Sequence, residues 1–231
     1  MDSSFLETRQ LCKIFAPHQA AAVQALADID LAIHRGEFAV LSGPSGSGKT
    51  TLLNIIGGLD GASSGTVILD GITVTELAEK ELSRLRRDHI GFVFQAYNLI
   101  PVLTARENIE YVMRLQGRSH EECRRRGEEV AAKLDIGALL DKLPNQLSGG
   151  QQQRVAVARA VAGKPKLILA DEPTANLDSK SAANLMDMMQ QLNEDEGITI
   201  VFSSHDPQVI SKAKHSIVLR DGKVAANEHL A

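Results

Sequence analysis

Cysteine, long apolar runs and excess basic charge are what this 231-residue sequence has least of. Its two cysteines, Cys12 and Cys123, are single and far apart. They fit reduced thiols in a reducing compartment and argue against a disulfide framework or a cysteine metal site. The longest uncharged stretch, Ile90 to Ala105, is interrupted by Gln95, Asn98 and Pro101. It falls short of the roughly 20 apolar residues of a spanning helix, so no membrane crossing is expected. With 25 basic and 29 acidic side chains the net charge is −4, which gives no general attraction to nucleic acid or anionic lipid. No nucleic-acid partner is expected. The opening Met1-Asp2-Ser3-Ser4-Phe5-Leu6-Glu7 lacks the basic region and apolar core of a secretory signal, which predicts a cytoplasmic chain. The length suits a single domain, 1–231, with room for an inserted lobe.

What is present centres on Gly43-Pro44-Ser45-Gly46-Ser47-Gly48-Lys49-Thr50, between the apolar run Phe38 to Leu41 and the helix-like run Thr51 to Ile56. Glycines let such a turn curl its N–H groups inward toward phosphate oxygens, and the following helix adds its positive end. Lys49 would reach the β- and γ-phosphates, and Thr50 a Mg²⁺ ion. A nucleotide is therefore the expected ligand. The loop alone does not separate kinase, GTPase, ATPase and motor.

Short apolar alternation predicts strands over Phe5 to Lys13 and Gln24 to Ile33, and Gly65 to Leu69 is β-rich up to a turn at Asp70-Gly71. Glu79 to Arg87 reads as a helix and Ile90 to Phe94 as a strand. From Thr104 to Ala162 the texture is helical, with Thr104 and Glu107 forming a capping box and Glu121 to Leu134 a charged helix. The Arg124-Arg125-Arg126 run, surrounded by glutamates, reads as a solvated helix face. The continuous apolar run Leu167 to Ala170 predicts a parallel strand buried on both faces. A helix over Ser179 to Asn193, a strand over Ile198 to Phe202, a short helix after Pro207 and two closing strands follow. The alternation predicts an α/β fold with a mainly parallel sheet, an added β-region and an inserted helical lobe.

Asp171-Glu172 ends the buried strand, where ligands lie in open parallel sheets. Asp171 would hold Mg²⁺ while Glu172 orients and activates the attacking water. Strand ends also place His205 and Gln95 at this edge, His205 within reach of a γ-phosphate and Gln95 of Mg²⁺ or the attacking water. Leu147-Ser148-Gly149-Gly150-Gln151 opens a further helix and forms a second helix-start anion site. One nucleotide already has its loop, so this second site points to a partner subunit.

With these motifs in this order, the sequence resembles the nucleotide-binding subunit of ATP-binding-cassette transporters over nearly its whole length. The resemblance implies a RecA-like P-loop core (1–95 and 163–231) with an antiparallel β-region and a helical subdomain at 96–162. It makes residues 43–50 the Walker A loop, Leu167 to Asp171 Walker B, and Leu147 to Gln151 the signature. Glu172 becomes the catalytic base, Gln95 the Q-loop residue, His205 the switch histidine, and Ala175-Asn176-Leu177-Asp178 the D-loop. The implied nucleotide contacts are Phe15, stacking on adenine, the phosphate loop with Thr51, Ser148 to Gln151, and Asp178. Thr50, Gln95 and Asp171 would surround Mg²⁺. Two ATP molecules would be sandwiched head to tail in a homodimer.

Asn54 to Asp60 and Phe92 to Asn108 are similar to the lipoprotein-releasing and macrolide-export branch, although Ala175 stands where Gly is expected. This implies a subunit on the inner membrane face that drives a permease handling an amphiphilic substrate. The permease would dock near Gln95 to Leu103, with Tyr97 and Ile100 as the exposed members. A cell-division relative that signals without transport, and a soluble non-transport ATPase, remain as alternatives.

Overall fold

The computed structural model describes residues 4–16 and 22–230. The chain opens with β1 (Leu6–Phe15) and β2 (Val23–Ile33), then β3 (Phe38–Ser42), the phosphate-loop turn and α1 (Lys49–Ile56). Next come β4 (Ser64–Leu69), β5 (Ile72–Thr73), α2 (Glu79–His89) and β6 (Ile90–Val93). The helical stretch holds α3 (Ala105–Leu115), α4 (His120–Lys133) and α5 (Gly149–Ala162). Then follow β7 (Leu167–Ala170), α6 (Ser179–Glu196), β8 (Thr199–Ser203), α7 (Pro207–Ile210), β9 (His215–Arg220) and β10 (Lys223–His229).

Two sheets form. One has six strands in the order β10-β9-β3-β8-β7-β6, parallel except for β10, and the other is antiparallel in the order β2-β1-β4-β5. Side chains of the six-stranded sheet alternate between two apolar layers, as the two-residue strand period requires. Phe38, Val40, Ile168, Ala170, Ile200 and Phe202 face a core shared with α3, α4, α5 and α6. Ala39, Leu41, Leu167, Leu169 and Val201 face α1 and the antiparallel sheet. Covering both faces is why these strands read as unbroken apolar runs.

Helix ends are set locally. Thr104 caps α3 and Ser119 caps α4, each in a capping box with the glutamate three residues on. Gly197 closes α6 at φ 65°, a left-handed turn that glycine adopts without Cβ strain. Arg126 departs from the solvated face expected of its run. It is buried, and bonds to Glu196 at 2.5 Å, to Glu129, and to the carbonyl of Val161, which joins α4 to α5 and α6. Cys123 is buried in α4, and burial pushes its thiol up from the ordinary range.

Because β3, β6, β7 and β8 are parallel, their carboxyl ends open on the same sheet edge. The phosphate loop, Gln95, Asp171-Glu172 and Ser204-His205 follow those four ends directly.

Candidate nucleotide site

The turn after β3 depends on two glycines. Gly43 has φ 136°, and a Cβ there would stand 2.1 Å from the carbonyl oxygen of Leu219. Gly48 has φ 103°, and its Cβ would meet the carbonyl of Ala25 at 2.7 Å. Gly48 is also the N-cap of α1, so no side chain occupies the helix start, and no acidic residue lies in the first turn. The first N–H groups of α1 and its positive dipole end therefore face outward unpaired by a cap. Lys49 is buried, with its ammonium donating only to the carbonyls of Gly43 at 2.8 Å and Pro44 at 3.1 Å. Ser47 Oγ is buried with no partner among the described residues. A buried cation held by neutral carbonyls beside an unpartnered hydroxyl and free helix N–H groups fits a polyphosphate.

A cleft of about 580 Å³ opens in front of this turn. Pro44, Ser45, Gly46, Gly48, Lys49, Thr50 and Thr51 line one side, with Gln95, Glu172, Ala175, His205 and Val23 to Ala25 around the rest. Behind it runs a continuous line of hydrogen bonds. Thr50 Oγ1 donates to Asp171 Oδ1 at 3.1 Å, Ser203 Oγ donates to the same oxygen at 2.7 Å, and Ser203 Oγ accepts from the Glu172 N–H at 2.8 Å. His205 Nδ1 then meets both Glu172 carboxylate oxygens. A hydroxyl and a carboxylate side by side are hard oxygen donors, the kind Mg²⁺ takes beside phosphate.

Gln95 is exposed, and its carbonyl accepts from the Asn176 amide at 2.9 Å. Phe15 is 43% exposed but is not on the cleft wall; Lys13 Nζ sits 4.8 Å from its ring centroid. Its cross-strand neighbour Val23 lines the cleft instead.

Ser148 and Gln151 do not line the cleft. Ser148 caps α5 and accepts from the Gln151 N–H at 3.3 Å, while Gln151 Oε1 accepts from the Ser148 N–H at 2.9 Å. Gly149 and Gly150 form the first turn of that helix, away from the phosphate loop's wall. Asp178 likewise caps α6, its carboxylate accepting from the Ser181 N–H and hydroxyl. Those bonds hold the carboxyl below its ordinary range.

The sequence does not single out Ser203, and Asn176 enters only as part of the D-loop stretch, without its bond to the Gln95 carbonyl. Ser203 could have been suspected from its place at the end of an otherwise apolar strand.

A second cavity, also about 580 Å³, is bordered by α2, β6, α3 and α5. Phe92, Phe94, Val112 and Leu115 give it apolar walls, and Arg84, Arg86, Arg87 and Arg159 give it cationic ones. Of the Gln95 to Leu103 stretch, Asn98 lines this groove. Tyr97 and Ile100 are half-buried, and Val102, at 79% exposure, is the open residue. Tyr97 turns its hydroxyl toward Gly149.

Residues 26–175 match the ABC transporter family model. An uncharacterised ABC transporter ATP-binding protein, MJ0796 of Methanocaldococcus jannaschii, is 48% identical over 90% of both chains. Its structure, described as a dimeric post-hydrolysis state of the ATP-binding cassette bound to ADP and Pi, superposes with a TM-score of 0.91 at 43% identity, covering 98% of this chain and 99% of that one. A lipoprotein-releasing system ATP-binding protein, LolD 1 of Chlorobium chlorochromatii, is 43% identical over all of this chain and 94% of its own. A macrolide export ATP-binding/permease protein, MacB of Campylobacter jejuni, is 46% identical over 87% of this chain, which spans only 31% of that protein's length.

Proposed function

This chain belongs to the ABC transporter family, as the ATP-binding subunit, and from that membership we propose how its residues bind and hydrolyse ATP and what they drive. It is an ATPase, and its cassette relatives are dimeric. The proposed reading is that two copies close head to tail on two ATP molecules, with Ser148, Gly149, Gly150 and Gln151 of one serving the phosphate loop of the other. The start of α5 supports this, because the Ser148 cap takes up the Gln151 N–H and leaves the Gly149 and Gly150 amides for an anion, away from the cleft wall that holds its own chain's phosphate loop.

Within one half-site, Lys49 and the α1 N–H groups bind the β- and γ-phosphates. Thr50 and Asp171 hold Mg²⁺, with Gln95 at the cleft wall, and when bound the ion neutralises phosphate charge in the transition state. Glu172 takes the proton of the attacking water, and His205 holds the Glu172 carboxylate and reads the γ-phosphate. Ser203 orients both acidic residues through its single hydroxyl. Phe15 serves the adenine from the end of β1, and Asp178 serves the partner copy by shaping the turn before α6.

The observation that carries the reading is the hydrogen-bonded series Thr50, Asp171, Ser203, Glu172, His205, which runs behind the cleft and reaches its wall at Thr50, Glu172 and His205. The test compares Glu172→Gln with Lys49→Ala in purified protein. The first should bind ATP and fail to hydrolyse it, while the second should fail to bind. Two fully active variants would overturn the site.

The arginine-lined groove, with Asn98 from the 95–103 stretch in its wall beside Phe92 and Phe94, is the proposed seat of a permease segment. The described residues hold no helix long and apolar enough to cross a membrane. The proposed cargo is amphiphilic and the proposed place is the inner membrane face, a reading supported by the similarity to proteins named for lipoprotein release and macrolide export.

A further inference from the structure

Helix α5 reaches the catalytic loops at two points where the sequence carries no recognised motif. Gln153 is fully buried and donates from Nε2 to the carbonyl of Pro173 at 2.7 Å, beside Glu172. Its Oε1 is buried with no partner among the described residues. Further along, Arg159 is half-buried and donates to the carbonyls of Tyr97 at 2.9 Å and Asn98 at 2.5 Å, just past Gln95. Burial pushes its guanidinium down from the ordinary arginine value.

At both points the loop backbone is left-handed in residues other than glycine: Glu172 at φ 45°, Tyr97 at φ 62° and Asn98 at φ 48°. Such conformations persist only where the surroundings hold them. Stability alone selects neither side chain. An apolar residue at 153 would remove the orphaned Oε1 but leave the Pro173 carbonyl unpaired in its place, and an arginine set against neutral carbonyls carries desolvation with no opposite charge to offset it. What the two share is the helix that presents them, whose first turn is Ser148 to Gln151.

We infer that Gln153 and Arg159 are positioning residues through which α5 locks the Glu172 and Gln95 loops of its own subunit to the helix start that serves the partner's nucleotide. Closure on one ATP would then set the catalytic loops at the other, since a helix of about 21 Å moves as one body. Asn176, which holds the Gln95 carbonyl from the turn before α6, makes a third grip on the same loop. The inference rests on the composite-site reading above.

The test uses the full chain with Gln153→Met, Arg159→Met and Arg159→Lys, beside Glu172→Gln as the reference. Both methionine variants should lower kcat roughly 3- to 30-fold. ATP affinity of the monomer and KM should stay near wild type, since no phosphate contact is removed. Gln153→Met should melt close to wild type, because it removes one unpaired buried oxygen and unpairs another, the Pro173 carbonyl. Arg159→Lys should recover most of the lost kcat, since an ammonium can still donate to both carbonyls.

Wild-type kcat in both methionine variants, with Glu172→Gln inactive, would overturn this inference and leave the catalytic reading standing. ATP affinity falling in step with kcat, or lowered melting without rescue by lysine, would assign both residues to the scaffold and overturn it too. An active Glu172→Gln would instead sink the catalytic reading itself.

Discussion

His205 Nδ1 lies 3.0 Å from Glu172 Oε1 and 3.1 Å from Oε2, so one exposed imidazole straddles both oxygens of a carboxylate that is only 15% exposed. The histidine thus sits between solvent and the proposed base. Any movement of the ring toward a bound γ-phosphate would uncover the carboxylate, which ties readiness for hydrolysis to ligand arrival.

Glu172→Gln keeps the shape and an oxygen for His205 but cannot take a proton. Hydrolysis should fall by roughly 10²- to 10⁴-fold, with ATP affinity retained. ATP-bound dimers should accumulate and be visible by size-exclusion chromatography. Near-normal turnover would remove Glu172 from the role of base.

Ser148→Arg should leave ATP binding by the monomer intact while blocking dimer closure and turnover. Mixed with Lys49→Ala subunits, it yields heterodimers in which one composite site carries both lesions and the other none. Recovered hydrolysis in such mixtures measures the trans arrangement directly. Loss of ATP binding in the isolated Ser148→Arg monomer would place Ser148 in its own subunit's site.

Leu115 lines the arginine-bearing groove and is 53% exposed, so Leu115→Glu should fold normally. Basal hydrolysis by the isolated subunit should be unchanged, while co-purification with the permease and its stimulation of hydrolysis are lost. Full stimulation of the variant in the assembled complex would move the docking surface elsewhere.

Asp70 ties the start of β3 to β7, accepting from Lys166 Nζ at 2.8 Å and from Arg35. The Lys166 bond first, then the Arg35 and Lys166 charges, holds its carboxyl below the ordinary 3.8. Its contribution is therefore present above that value and is lost as pH falls through the lower folded value. Asp70→Asn, which tolerates the left-handed φ of 50°, should cost about 0.5–1 kcal/mol near neutrality. Denaturant midpoints of variant and wild type should converge in acid. A gap that persists there would point to packing rather than charge.

The sequence by itself determined whatever depends on neighbours within a few residues. The phosphate-loop glycines sit where φ is positive, the capping boxes at Thr104 and Ser119 form between residues three apart, and Leu167 to Ala170 is apolar because both its faces are covered. The order of motifs along parallel strands also placed Lys49, Gln95, Asp171, Glu172 and His205 at one edge, since parallel strands share their carboxyl ends. Only the tertiary structure decided which side chains steady them. The Ser203 hydroxyl reaches Asp171 and Glu172 from another strand, Arg159 holds a loop far before it in the chain, and Arg126 is buried among three helices although its run reads as solvated. The groove is likewise walled by Phe92, Phe94 and α3 rather than by Tyr97 and Ile100. These contacts have no periodicity or spacing to betray them. They exist because layers packed on the two faces of the sheet bring distant residues within hydrogen-bond reach, and a polar side chain caught there must find its partner locally or stay costly.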